Sequence, residues 1–308
     1  MAMKRVLFGW ILVLVGAFLL TVALLLWFVA PGMIEKTPKN TDLVTYVYGH
    51  AEKLNPRTGK VEGVPVKIWN DNAVNPARST GTVAVFISRT CANVNRDNPP
   101  RCLRKSDNRL ITNDVEVFAV DRHTGMSVPD QTSYGATAHS GLVNKFPFGT
   151  TRRAYPFWDN VVHQAYPARY AGTVDVRGLQ TYKFVVRVPK TKTFIVQGVK
   201  GTYQLVRTMW VEPITGSIVD QTRHEVRLLP DGTTVIDLHD HFSRGTVAAF
   251  VDGRKSDISR LHLYETVAPI VSCVLGVLLL VAGLFLALLR GEPGEPSHEP
   301  QREPVTTA

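Results

Sequence analysis

Two long apolar runs, one near each end, dominate the pattern of hydrophobic and polar positions along the chain. The first covers residues 6–30 and the second residues 267–289, and neither contains a charged side chain. Each is apolar on all sides, unlike the striped helix of a soluble domain, and each exceeds the roughly 20 residues that a helix needs to cross a bilayer. The pattern predicts two transmembrane helices over these ranges.

A signal peptide is the alternative interpretation of the first run, because Lys4 and Arg5 give it a basic start. The apolar stretch is longer than the roughly 7 to 15 residues of a signal-peptide core, and no clear cleavage site follows it. We therefore expect an uncleaved anchor.

Residues 31–266 have a different pattern, in which short runs of alternating β-branched and aromatic residues are bounded by Gly, Pro, Asn and Asp. This pattern is typical of strands joined by hairpins. It predicts a mainly β protein, with an antiparallel sheet or barrel between the two helices. The predicted strands cover residues 43–48, 64–70, 81–89, 114–121, 173–176, 181–188, 193–196, 202–211, 218–229, 233–241 and 246–251.

Turn signals recur between these runs. The sequences VDRHTGMSV (120–128) and VEPITGSIV (211–219) are nearly superimposable, and NPRTGK (55–60) is related to them. In each, an acidic residue or Asn initiates the turn and the Gly tolerates a positive φ. The Asp-Gly pairs at 231–232 and 252–253 predict further hairpin turns.

The segment 141–171 differs from the rest because aromatic rings, prolines and basic residues are mixed in it. Pro147, Pro156 and Pro167 argue against a regular central strand or an uninterrupted helix. We predict an ordered loop whose aromatic residues anchor it to the sheet or to the membrane interface; the alternative is that the rings form the core of the domain. The candidate ligand-binding residues are Phe146, Phe148, Arg152, Arg153, Tyr155, Phe157 and Trp158.

Basic residues close to the apolar runs indicate the orientation. Lys4 and Arg5 precede the first run and Arg290 follows the second, so the positive-inside rule predicts that both termini are cytoplasmic. Residues 1–5 form the predicted cytoplasmic N-terminus. Residues 290–308 are rich in Pro and Glu, which predicts a disordered cytoplasmic tail.

The formal net charge of +9 belongs to the central domain, since the charges near the two ends nearly cancel. A basic domain outside a cytoplasmic membrane favours anionic lipid headgroups or acidic envelope polymers as partners over nucleic acid. A solvated basic surface without a partner is the alternative.

The cysteines predict one disulfide. Cys91 and Cys102 lie in one polar segment on the side expected to be oxidising, and a bond between them would close a short loop. Cys273 lies in the second apolar run, where it is expected to serve as a small apolar residue.

Catalytic motifs are missing from the sequence, which contains no G-x-S-x-G, no phosphate-binding loop, no H-E-x-x-H and no C-x-x-C. We therefore expect no enzyme activity and no cofactor. Asp237, His239 and His241 alternate along one predicted strand and so share a face. They are candidate metal ligands, with an exposed polar strand face as the favoured alternative, because ligands on one flat strand rarely converge on one ion without a further ligand from elsewhere.

Four features together resemble one family: the two apolar runs, the V-[DE]-x-x-T-G turns, NKFPFGT (144–150) with YPFWD (155–159), and YAGTVDVRGLQTYKF (170–184). Over roughly residues 3–290 the chain is similar to the actinobacterial porin PorA family, formerly a domain of unknown function. The resemblance implies an envelope protein of high-GC Gram-positive bacteria with membrane anchors. A membrane-spanning β-barrel is not expected, because the predicted strands are short and charged. The layout is also similar to that of class B scavenger receptors, which implies lipid capture or transfer.

The leading hypothesis from the sequence is a non-enzymatic envelope protein of the inner membrane that binds or relays a lipid or another apolar envelope component. Its partners would be membrane lipids. The first alternative is a porin-like channel formed by a homo-oligomer, since two helices alone cannot enclose an aqueous pore. The second is a scaffold subunit of an envelope complex, suggested by Gly9 and Gly16 and by Gly276 and Gly283, each pair seven residues apart.

Overall fold

The computed structural model describes residues 2–196 and 198–288. The predicted tail, residues 290–308, lies outside the described residues. The described chain divides into two compact units: the central residues Gly32–Leu261 form one, and the two end segments, residues 2–31 and 262–288, form the other. We call them the β unit and the helix unit.

The helix unit contains the two long apolar helices that the sequence predicts. Helix α1 covers Ala2–Phe28, and α2 is a short helix at Ala30–Ile34. Helix α3, Arg244–His262, belongs to the β unit except for its last residue; a π-helical turn at Leu263–Val267 and α4, Ala268–Leu288, follow in the helix unit. Two of the described helical stretches are long and apolar enough to cross a membrane, judged by length and composition: the one at the N-terminus and the one that ends at Leu288.

The β unit is built on one antiparallel meander. Its strands are β1 Asp42–Leu54, β2 Val61–Val74, β3 Val83–Val94, β4 Leu110–Asp121, β5 Tyr155–Asp159, β6 Gln164–Val176, β7 Leu179–Val196, β8 Val199–Val211, β9 Ile218–Leu228 and β10 Thr234–Phe242. Their order across the sheet is β4-β3-β2-β1-β10-β9-β8-β7-β6-β5. The predicted mainly antiparallel β architecture is confirmed.

The segment 122–154, between β4 and β5, bridges the two outer strands of this order. Ser127 bridges Val120 in β4, and Leu142 bridges both Met126 and Phe157, which lies in β5. The Leu142 amide donates to the Pro156 carbonyl at 2.8 Å and its carbonyl accepts from the Trp158 amide at 2.7 Å. The sheet therefore closes on itself through this segment, which pairs backbone groups of Ala119 and Asp121 on β4 and of Pro156 and Trp158 on β5.

Alternation along the strands separates an inner face from an outer face. On β10, Ile236, Leu238 and Asp240 are buried, whereas His239 and His241 are exposed. The inner face carries several apolar clusters; one is built on Val66, Ile68 and Leu238, and another on aromatic rings around Phe184. This period of two is the pattern from which the strands were predicted.

The prediction of a loop over 141–171 is wrong for its second half, where β5 and β6 form. Pro156 pairs with Pro167, and β6 pairs with β7 only from Arg169 onward. The two prolines face each other in the ladder, where no hydrogen bond requires an N–H from either of them. On its other side, β5 bonds through the Pro156 carbonyl and the Trp158 amide. Proline excludes a strand position only where the amide must donate.

The predicted strand at 246–251 and the predicted turn at Asp252-Gly253 are also wrong, because both lie inside α3. Ser243 caps this helix: its Oγ accepts from the Thr246 amide at 3.0 Å. Val247 and Val251 pack into one apolar cluster of the β unit, with Ile258 beside them. This helical spacing was present in the sequence, but the β-branched residues around it favoured a strand.

The predicted turns at 55–60, 120–128, 211–219 and 231–232 are confirmed. Asp121 accepts from the amides of His123 and Thr124, and Glu212 accepts from the amide and the hydroxyl of Thr215 in the same way. Gly125 and Gly216 have φ of 70° and 72°. A side chain at Gly216 would meet the Phe146 carbonyl oxygen, so this turn requires glycine on two grounds.

Cys91 and Cys102 form a disulfide, with 5.5 Å between their Cα atoms. Cys91 is buried in β3, so the bond ties the long connection between β3 and β4 to the sheet. Cys273 is a free thiol in α4.

Candidate functional site

The helix unit is held together by a seam of small residues. A Cβ added to Gly9 would lie 2.8 Å from the Gly283 carbonyl oxygen, and one added to Gly16 would lie 2.8 Å from that of Gly276. α1 and α4 therefore run antiparallel with their backbones in contact at two places, two helical turns apart. Ala23 continues the same row on α1 and is buried. Small residues at this spacing let two helices approach closely in an apolar medium.

The remaining surface of the two helices is apolar and exposed. Leu14 and Phe18 on α1 are 70% and 66% exposed, and Val281 and Phe285 on α4 are 62% and 65% exposed. Thr21 is a rare polar side chain here, and its hydroxyl donates to the Ala17 carbonyl in its own helix. Large apolar side chains cover the faces that the seam leaves free, as is expected of helices that contact lipid or other copies of the chain.

The inner face of the β unit contains a group of charged side chains, which we call the interior charge cluster. Its charged members are Asp159, Arg207, Arg223, Glu225, Arg227 and Asp240, and the neutral Tyr203 hydroxyl donates to Asp159 within it. Arg223 contacts Asp240 at 2.6 Å and Glu225 at 3.5 Å, and Arg227 contacts Glu225 at 2.7 Å. The interior charge cluster contains three guanidiniums and three carboxyls, so its net charge is close to zero.

The electrostatics of the cluster follow from burial and pairing. Burial by itself raises the pKa of the Glu225 carboxyl, but the charges of Arg227 and Arg223 outweigh burial and hold that pKa below its ordinary value. Burial by itself lowers the pKa of Arg223, but Asp240 and Glu225 raise it above the usual value. Glu225 is therefore an anion inside the sheet, and Arg227 and Arg223 are its cations.

Two atoms of the interior charge cluster are buried without a hydrogen-bond partner among the described residues: Arg207 Nε and Asp240 Oδ1. Opposite Asp240 on β1 stands Gly49, where any Cβ would meet the His239 carbonyl and Asp240 itself. The sequence analysis missed this cluster. Its signal was the alternation of Arg223, Glu225 and Arg227 at one face of a strand, whose inward direction the sequence did not reveal.

A second, partly buried pair lies at the closure of the sheet. His139 Nε2 is 2.7 Å from the Glu116 carboxylate, and its Nδ1 is 2.7 Å from the Thr137 carbonyl oxygen. Both ring nitrogens face acceptors, which favours imidazolium. Burial opposes this charge, but the hydrogen bonds from Glu116 and Thr137 raise the pKa of His139 above its ordinary value.

The candidate ligand-binding residues divide between the core and the surface. Phe146, Tyr155 and Phe157 are buried; the Phe146 ring stacks on Phe184 at 4.6 Å and meets the edge of Tyr155 at 5.4 Å. Trp158 is buried against His139. Phe146, Tyr155 and Phe157 pack together on the inner face of the sheet near β5, whereas the Trp158 ring lies against His139 and His163.

The other three candidates lie nearer the solvent. Phe148 is half-buried, with the Lys145 ammonium 3.9 Å from its ring centroid. Arg152 is exposed beside the ring of Tyr182, and Arg153 beside that of Tyr155. The structure therefore separates the aromatic candidates from the basic ones. That these residues bind a ligand stays a prediction.

The histidines of β10 lie on the outer face. Asp237 and His239 come together with His224 of β9, which stands directly opposite His239 in the ladder. His241, the third residue in the sequence-based set, is not a member of this group. The sequence analysis thus placed two of the three residues, and it missed the one supplied by the neighbouring strand.

Comparison with known proteins identifies the family of this chain. The model of a family described as "Porin PorA" matches residues 8–285, which include most of both apolar helices and the whole β unit. A curated protein named Porin PorA from Corynebacterium resistens is 23% identical over 337 aligned positions, which cover 78% of this chain and 82% of that protein. The chain therefore belongs to the porin PorA family.

Proposed function

We propose that the protein is a membrane-embedded subunit of an oligomeric channel. The observation that carries the proposal is membership of the porin PorA family over residues 8–285. The comparisons favour this alternative from the sequence analysis over the leading hypothesis of lipid binding. A channel needs no catalytic residues, which agrees with a sequence in which none were found.

The helix unit supports an assembly of several copies. Two helices joined along one seam cannot enclose an aqueous path, because their backbones touch at Gly9 and Gly16. The seam is used within one chain, so the glycines do not indicate a separate scaffold partner. Any further contact must use the exposed apolar faces, which carry residues such as Phe18 and Phe285. We propose that copies of the chain meet there and that the conducting path lies between copies.

The proposed location is a membrane, with both helices spanning it. An antiparallel pair of spans puts both chain ends on one side, and Lys4 and Arg5 assign that side to the cytoplasm. The β unit then lies on the extracytoplasmic side of the inner membrane. The disulfide between Cys91 and Cys102 agrees with an oxidising compartment.

Cysteine labelling tests this orientation. In a Cys273→Ser background, single cysteines are placed at Asp231, which lies in the exposed β9–β10 turn, and at Lys4. An impermeant maleimide should label the Asp231→Cys protein in intact cells and the Lys4→Cys protein only after permeabilisation. Reversed labelling would overturn the orientation. Separation of inner-membrane and outer-envelope fractions decides which membrane holds the protein.

The channel itself is tested by conductance of the purified full-length protein in planar bilayers. Gly16→Leu forces a side chain against the Gly276 carbonyl and should abolish conductance by separating α1 from α4. Gly253→Leu is the matched control, because this helical glycine has open space around it. The proposal fails if the wild-type protein gives no conductance above protein-free bilayers, or if both variants conduct like wild type.

A further inference from the structure

The outer face of the β unit carries a compact set of side chains that the channel proposal does not use. His239 on β10 pairs directly with His224 on β9 in the antiparallel ladder, and Asp237 lies two residues from His239 on the same face. Residues directly opposite in such a ladder have Cβ atoms about 5 Å apart. The register of two strands therefore brings two imidazoles and one carboxylate together.

The distances between their ligand atoms suit one metal ion. His224 Nε2 is 2.9 Å from Asp237 Oδ1, and His239 Nε2 is 3.6 Å from the same oxygen. All three ligand atoms lie within 4.8 Å of one another. Ligands about 2.0–2.1 Å from a tetrahedral Zn²⁺ are separated by about 3.3 Å, which lies between the two measured distances.

We propose that His224, Asp237 and His239 form a binding site for a divalent transition-metal ion of the Zn²⁺ class. Two imidazole nitrogens and one carboxylate oxygen are the donors that Zn²⁺, Co²⁺, Ni²⁺ and Cu²⁺ accept, whereas Ca²⁺ and Mg²⁺ prefer oxygen alone. Three protein ligands leave the fourth position to water. The proposal is independent of channel activity.

The surroundings give an ion access and room. The three side chains are half-buried or exposed, and His224 and His239 line an open depression of about 340 Å³ on the outer face. The two rings stack with centroids 3.7 Å apart and planes at 17°. Since ligand lone pairs lie in the ring plane, each ring must rotate about its Cβ–Cγ bond to aim at a shared ion.

Two nearby histidines define the limits of the site. His50 stands opposite His239 on β1, but its ring lies over Gly63, away from His239. His241 lies on the same strand and lines the same depression, yet it is outside the group. A plain hydrogen bond between His224 and Asp237 on a polar face is the competing explanation, and it predicts no uptake of metal.

The experiment uses full-length protein without a polyhistidine tag, stripped of metal in detergent and titrated with Co²⁺ and then Zn²⁺. One-to-one binding, with visible absorption of tetrahedral Co²⁺ that Zn²⁺ abolishes, is expected. His224→Asn, Asp237→Asn and His239→Asn should each weaken binding at least tenfold, in the range of about 10–100-fold seen for perturbed metal sites. His241→Asn, the matched control, should leave the affinity unchanged.

Two results would overturn the assignment: no stoichiometric uptake of either ion, or equal weakening by His241→Asn and His239→Asn, which would indicate adventitious binding to surface histidines. The substituted positions are on the solvent side, so circular dichroism should show an intact sheet in every variant. Channel conductance measured without added metal is a separate readout. A negative result for metal binding therefore does not contradict the channel proposal, and absence of conductance does not contradict the metal site.

Discussion

The two units of this protein place their large apolar side chains in opposite ways. In the helix unit, α1 and α4 meet through glycines, with backbone against backbone and large apolar side chains turned outward. In the β unit, large aromatic rings and paired charges are turned inward. Lipid gives no hydrophobic force between two helices, so close van der Waals contact selects small residues. Water drives large apolar groups inward, and charges that accompany them must be paired.

The comparison predicts that removing a ring from the aromatic core of the β unit has the largest effect on the free energy of unfolding. Phe146 is fully buried and contacts Tyr155, Phe157 and Phe184. Phe146→Ala should lower the free energy of unfolding by about 3–5 kcal/mol, because it leaves a cavity. Denaturant unfolding of the full-length protein, followed by tryptophan fluorescence, measures this. Phe148→Ala, at a half-buried ring, should cost clearly less; equal costs would show that Phe146 does not belong to the core.

Breaking an ion pair of the interior charge cluster should cause the second largest loss of stability. Arg223→Met leaves Asp240 without its cation and leaves Glu225 with Arg227 alone, and loss of one partner of a buried ion pair typically costs about 3–5 kcal/mol. The apolar side chain of Met can pack in part of the space that Arg223 occupied, which offsets part of this cost. We therefore expect the free energy of unfolding to fall by about 3 kcal/mol in the same measurement. Arg109→Met breaks the partly exposed pair with Asp107 and serves as the control, with a smaller loss expected. Similar losses in both variants would contradict the contrast between buried and exposed pairs.

A larger side chain in the helix seam should destabilise the packing of α1 against α4, whereas a smaller side chain on an exposed face of α4 should change it little. Gly276→Ala puts a Cβ 2.9 Å from Leu20 Cγ and 3.0 Å from the Gly16 carbonyl oxygen. Overpacking of this kind costs about 1–3 kcal/mol. Val274→Ala, at an exposed position of the same helix, should have a smaller effect. Energy transfer between probes on α1 and α4 during detergent titration measures both. If Val274→Ala were the more damaging variant, the seam would not hold the pair.

The smallest effect expected is the pH dependence from His139. Its pKa is raised in the folded protein, so its stabilising contribution is complete below the unfolded value of about 6.5 and is lost as pH rises through the folded value. His139→Gln should narrow the stability difference between acidic and alkaline pH. Subtracting the variant's melting temperatures from those of wild type between pH 5 and pH 9 cancels the contributions of other groups. A difference that grows with pH would contradict the prediction.

The elements that sequence analysis placed correctly depend on local rules. The apolar helices follow from long runs that must satisfy their backbone internally, and the V-[DE]-x-x-T-G turns follow from one side chain that accepts from the next amides and one glycine with positive φ. The errors also have a local origin. Prolines at 156 and 167 argued against strands, and β-branched residues at 246–251 argued for one.

The sequence by itself determined which segments are apolar helices, which alternate as strands, where several hairpins turn, and which family the chain resembles. Only the tertiary structure decided that α1 and α4 pack on their glycines, that the sheet closes through Leu142, and that Arg223 and Glu225 point inward while His224 meets Asp237 and His239 outside. The physical reason is register. A strand's own pattern fixes which residues share a face, but the pairing of neighbouring strands fixes which residues from distant parts of the chain meet on it.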